Sequence, residues 1–103
     1  VSRPPLLDDD AIEEFLQGHA EWHLESGHLV RVLSTKDYIG ASSLFGAQVA
    51  LAQRLNHHPT VTVDYNELRV EIWTHDQGGV SALDLEYVKG FDELLQGYAS
   101  VLS

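Results

Sequence analysis

The chain contains no cysteine, which excludes disulfides, thiolate metal sites and cysteine nucleophiles. It has no apolar run of membrane-spanning length and no signal-like segment, so the cytoplasm is the expected address. Positive charge is scarce: six Lys and Arg against sixteen Asp and Glu give a formal net charge of −10. A surface of that sign repels nucleic-acid backbones and anionic lipids. Neither nucleic acid nor membrane is therefore expected as a partner, whereas small molecules and other proteins are. What is present is a 103-residue chain, 44% hydrophobic and 21% charged, the composition of a globular protein with one core. Residues 1–103 read as a single domain, with residues 1–7, which hold two of the three prolines, as an extended lead-in.

Periodicity places the elements. Asp10 and Glu13 form a capping-box pattern, and Ile12, Phe15 and Leu16 fall on one face of a short helix ending near Gly18. The alternation in EWHLES, the Ser26-Gly27 turn and the β-rich HLVRVLS predict a hairpin. Leu44, Ala47, Leu51 and Leu55, broadened by Phe45 and Ala52, mark a second helix that Pro59 stops at or just before His57-His58. TVTVDY and LRVEIWTH, joined by an Asn66-Glu67 corner, predict a second hairpin whose core side carries Val61, Val63, Tyr65, Leu68, Val70 and Ile72. Ser81 and Asp84 signal the start of a last helix running to the C-terminus. Its apolar face (Tyr87, Phe91, Leu94, Tyr98, Val101) is wide. Gly90 and Gly97 within it suggest either close approach of a second helix, a subunit contact for instance, or local adjustment. The order αββαββα predicts an α+β two-layer sandwich, a four-stranded antiparallel sheet with helices packed on one face.

The chemistry-bearing candidates are histidines, since imidazole exchanges a proton near neutral pH without a perturbed pKa. His57 and His58 sit where a helix stops and His75 where a strand stops, and such chain ends converge at a sheet rim. Taken alone, the doublet is explained as well by the helix dipole, which favours a C-terminal histidine by about 0.3–1 kcal/mol. His19, His23 and His28 read as surface residues. Three histidines with Asp76 could build a zinc site, but adjacent residues rarely aim at one ion and no HExxH pattern occurs, so no metal is expected. Nucleophile-elbow, Walker and dinucleotide fingerprints are also missing.

A composite pattern goes further. His57-His58-Pro59 is followed after five residues by Tyr65, after nine more by His75 and after eight more by Asp84. KDY occurs at 36–38, DYN at 64–66, and THD, closely followed by GG, within 74–79. In this the chain resembles the pterin-4a-carbinolamine dehydratases, from about Trp22 to the end. The resemblance implies a hydro-lyase that removes water from 4a-hydroxytetrahydropterin to give quinonoid dihydropterin in tetrahydrobiopterin recycling, without cofactor. It also implies assembly as a homodimer or homotetramer and a functional link to an aromatic amino acid hydroxylase. By that analogy His57 and His75 give a proton to the leaving hydroxyl, and His58 serves substrate binding and proton transfer at the ring. Asn56, Trp73, Thr74 and Asp76 contact the pterin. Tyr65 and Asp84 read as structural, the first pointing inward and the second capping a helix. One departure matters: the family usually has an acidic residue four positions before the first histidine, where this chain has Gln53. A carboxylate there would orient or polarise His57, so the amide is expected to tune activity. The alternative is a non-catalytic relative serving as a dimerisation or assembly module for another protein.

Overall fold

In the computed structural model, which describes residues 4–103, helix α1 (Asp9–Leu16) leads into a hairpin of β1 (His23–Glu25) and β2 (His28–Ser34). Helix α2 (Tyr38–Leu55), a second hairpin of β3 (Thr60–Asp64) and β4 (Glu67–Ile72), and helix α3 (Ala82–Gln96) follow. All strand pairings are antiparallel, in the order β1-β2-β4-β3. Residues 1–3 of the expected lead-in lie outside the described residues. Its remainder is tied down by the Leu7 N–H, which donates to the Val80 carbonyl at 2.8 Å.

One sheet face supplies Leu29, Leu33, Leu68, Val70 and Ile72 to the core, where they meet Ile12, Leu44, Leu51, Tyr87, Val88 and Phe91 of the helices. Burying one such side chain contributes roughly 1.5–3 kcal/mol, so the helices collect on that face. Between α2 and α3 the approach is close: a Cβ added at Gly90 would lie 2.6 Å from Leu51 Cδ1. The glycine is thus explained by a second helix of the same chain. Gly97 stands at the C-cap of α3 with φ −79°, a conformation open to any residue, and nothing in the structure explains a glycine there.

The β1–β2 turn places Ser26 and Gly27 at φ 51° and 80°, the left-handed pair that matches the twist of a hairpin. Between α1, β2 and α3, Asp92 joins three donors: Trp22 Nε1 at 2.9 Å, Arg31 Nη1 at 3.0 Å and His19 Nδ1 at 2.7 Å.

Five expectations need correction. Helix α1 is capped by Asp8, whose Oδ1 accepts the Ala11 N–H, and not by Asp10. Phe45 faces outward, 41% exposed, because the buried stripe of α2 runs through Leu44, Gln48, Leu51 and Ala52. Tyr65 is 66% exposed: Asp64 pairs with Glu67, so the corner is Tyr65-Asn66, and Tyr65 takes φ 51° there instead of continuing the inward alternation. The last helix stops at Gln96, and a 3₁₀ turn, Ala99–Val101, returns the chain to the sheet beside Thr35. Finally, Tyr87, Val88, Phe91 and Leu95 bury the apolar face of α3 inside its own chain. The exposed apolar stripe lies instead on α2, at Tyr38, Ile39, Phe45 and Val49.

Candidate active site

The C-terminal end of α2 is built to eject the histidine pair. Asn56 adopts the left-handed conformation, φ 49°, tolerated by Asn better than by most residues, and its N–H bonds back to the last turn. The chain then leaves the helix direction at His57, whose N–H still reaches the Ala52 carbonyl at 3.0 Å. His57 turns inward, 7% exposed, and His58 outward.

Past the end of β4, Thr74 pairs with Gly79 across a tight turn, with its N–H on the Gly79 carbonyl at 2.8 Å. Thr74 is buried, so the side chains on either side of it, Trp73 and His75, point to the opposite side. The sheet rim thus brings Asn56, His57, His58, Thr74, His75 and Asp76 around one open cavity of about 270 Å³. These are six of the seven residues expected from the sequence. The seventh, Trp73, lies behind the cavity, stacked on His75 with ring centroids 4.1 Å apart.

The focal residue is Asp84, fully buried at the start of α3. Its Oδ2 accepts the Ser81 N–H at 2.8 Å and the Thr74 hydroxyl at 2.9 Å. The Ser81 hydroxyl donates to Thr74 Oγ1 at 2.7 Å, so the row of donors ends on a carboxylate. Its Oδ1 takes the Nε2–H of His57 at 2.5 Å. A carboxylate on one imidazole nitrogen fixes the tautomer and the ring orientation. The capping residue is therefore also the partner of His57, a role that the sequence pattern concealed because the cap alone accounts for an acid at this position. Thr74, expected at the substrate, has its hydroxyl committed to the same network.

Gln53 also has a different neighbour from the expected one. Its Oε1 accepts the Nε2–H of His58 at 2.7 Å, so the amide serves the outward imidazole and leaves His57 to Asp84.

Beyond the cavity, the open sheet face carries a row of charges. His28 Nδ1 meets Glu71 Oε2 at 3.0 Å, Arg69 Nε donates to Glu71 Oε1 at 3.2 Å, and Arg69 Nη2 donates to Glu25 Oε1 at 2.7 Å. The His28 hydrogen bond, reinforced by Arg69, holds the Glu71 carboxyl below the usual carboxylate range. In the core, burial pushes the Tyr87 hydroxyl up, and it donates to Gln48 Oε1 at 2.7 Å. Among the described residues, no group of three or more His, Asp or Glu side chains is arranged to hold a metal ion. No helix among them is long and apolar enough to cross a membrane.

Comparison with known proteins gives the family. The family model described as pterin 4 alpha carbinolamine dehydratase matches residues 5–94. A Metallosphaera sedula protein named "Putative pterin-4-alpha-carbinolamine dehydratase" is 36% identical over 90 residues, covering 87% of this chain and 94% of its own. A Rhodospirillum rubrum protein of the same name is 38% identical over 92 residues, covering 86% and 95%. The fold is shared with a Brucella melitensis crystal structure described as a transcriptional coactivator/pterin dehydratase. It has a TM-score of 0.82 at 24% identity and covers 87% of this chain and 98% of that one. The chain belongs to the pterin 4 alpha carbinolamine dehydratase family.

Proposed function

We propose that this chain is a hydro-lyase that removes water from 4a-hydroxytetrahydropterin and releases quinonoid dihydropterin. The observation that carries this reading is the meeting of three imidazoles at one cavity, one of them held on a buried carboxylate. The reaction breaks the C–O bond at the hydroxylated ring carbon. The hydroxyl leaves as water with a proton from an imidazolium, and the adjacent ring nitrogen gives up its proton to a neutral imidazole. Two histidines in opposite protonation states suffice, and positioned groups of this kind contribute about 10²- to 10⁴-fold.

His57 suits the donor role, since its bond to Asp84 fixes the ring in one orientation at the cavity, and His75 faces the same cavity as a second donor. His58 binds the pterin and takes the ring proton, with Gln53 orienting it. Asn56 and Asp76 flank the substrate, while Thr74 and Trp73 act through Asp84 and His75. Cytoplasmic tetrahydrobiopterin recycling beside an aromatic amino acid hydroxylase belongs to the same proposal. So does homo-oligomerisation, for which the exposed stripe of Tyr38, Phe45 and Val49 on α2 is the supporting surface.

That stripe, with the coactivator description of the Brucella protein, also favours a second reading, an assembly module for another protein. The test that separates them generates the hydroxylated pterin in situ and follows its dehydration. Wild type should exceed the uncatalysed rate, and His75→Ala should fall by about tenfold or more. A wild-type rate equal to background would leave only the assembly reading.

A further inference from the structure

We infer that His28 is a positioning residue for His75, acting through the indole of Trp73. The inference rests on the dehydratase reading only for what His75 is held to do. Its physical basis lies in how the ring is held at all. Among the described residues, no hydrogen bond is made to the His75 imidazole, and the side chain is exposed. An exposed imidazole without a polar anchor samples several rotamers. Here the ring lies flat on Trp73, 4.1 Å between centroids and 6° between planes.

A half-buried indole is a poor anchor unless its other face is also covered. His28 covers it. The pairing of Leu29 with Ile72 brings residue 28 alongside residue 73, and the two rings stack at 3.7 Å and 5°. The outer imidazole is itself fastened: Nδ1 meets Glu71, which is held by Arg69, which is held by Glu25. Three parallel rings thus run from an ionic row across β1, β2 and β4 to the cavity wall. This arrangement holds His75 in one orientation while leaving both of its nitrogens to substrate, which a hydrogen-bonded anchor could not do.

The test compares His28→Ala, which removes the ring, with His28→Phe, which keeps a stacking face without the link to Glu71. Histidine side-chain NMR reads the position of His75 independently of activity, because the indole shields the protons of a ring stacked on it. In His28→Ala the His75 resonances should move toward the values of a free imidazole while those of buried His57 stay in place, and His28→Phe should bring them back. In the dehydration assay kcat should fall about two- to tenfold in His28→Ala, the range that loss of one aromatic stack allows, with KM within twofold and with rescue by His28→Phe. His75 resonances that do not respond to His28→Ala, or equal loss in both variants, would overturn the inference. If wild type shows no dehydration, the functional reading fails while the resonances still decide whether His28 holds His75. Should His28→Ala fail to fold, His28→Leu, which fills the space without a π face, takes its place with the same expectations.

Discussion

Replacing Asp84 with Asn tests whether the carboxylate matters as a cap or as the partner of His57. Three donors converge on it: Ser81 N–H and the Thr74 hydroxyl on Oδ2, and His57 Nε2–H on Oδ1. An amide has only one oxygen. If that oxygen keeps the two-donor side, the NH₂ group faces Nε2 of His57. Neutral His57 can then accept from it by moving its own proton to Nδ1, so a charge-assisted hydrogen bond becomes a neutral one. The cost is about 1 kcal/mol, a fall of roughly 4–8 °C in Tm for a domain of this size. Protonated His57 has no such escape, since both ring nitrogens then donate and one points at the amide donor. The acid form is lost, and kcat should drop by about 10²-fold or more. Asp84→Ala differs in kind: it strands His57, Ser81 and Thr74 together, at about 3–5 kcal/mol. Thermal unfolding, the dehydration assay and ¹⁵N NMR of the His57 ring check these outcomes. A variant that keeps its proton on Nε2 and turns over at the wild-type rate would refute the reasoning.

Asp92→Ala should destabilise the fold by about 3–5 kcal/mol, because it leaves the part-buried Arg31 without its counter-charge and Trp22 Nε1 without its acceptor. Urea titration measures this, and a loss under about 1 kcal/mol would mean that water replaces the carboxylate. Acid should weaken the wild type partly through Glu71. Its carboxyl is depressed in the folded state by His28 and Arg69. The stability it contributes is therefore complete above the unfolded value of about 4.3 and disappears as pH falls through the lower folded value. Glu71→Gln should accordingly show a shallower decline between about pH 5 and 3 in a series of urea titrations, and parallel curves would exclude a contribution from this group.

Much of the layout was legible because two periods dominate the chain. The stripe of Leu44 and Leu51 and the alternation of Leu68, Val70 and Ile72 each serve one buried face, so pattern and burial coincide. The doublet, His75 and Asp84 were legible as spacing, and the folded chain brings the three histidines to one rim with Asp84 buried behind His57. What spacing cannot encode is pairing across strands and helices. Tyr65 was misplaced by a corner one residue earlier than expected, which reverses a side chain of period two. His28 looked like a surface residue because only the register of β2 on β4 puts it against Trp73. The family pattern sets position 53 beside His57, yet the left-handed turn at Asn56 swings His58 over Gln53 instead. Asp84 was half read, since a capping box is local and its bond to a histidine 27 residues away is not.

The bond between His57 and Asp84 also ties the end of one helix to the beginning of another, with a whole hairpin between them in the chain. No fragment holding α2 alone, or α3 alone, contains the site. A ligand filling that cavity would stabilise only the state in which both helices are docked, and its binding free energy would be added to the unfolding of the entire sandwich. Amide exchange in the central strands should therefore slow when the cavity is filled, far from any atom the ligand touches.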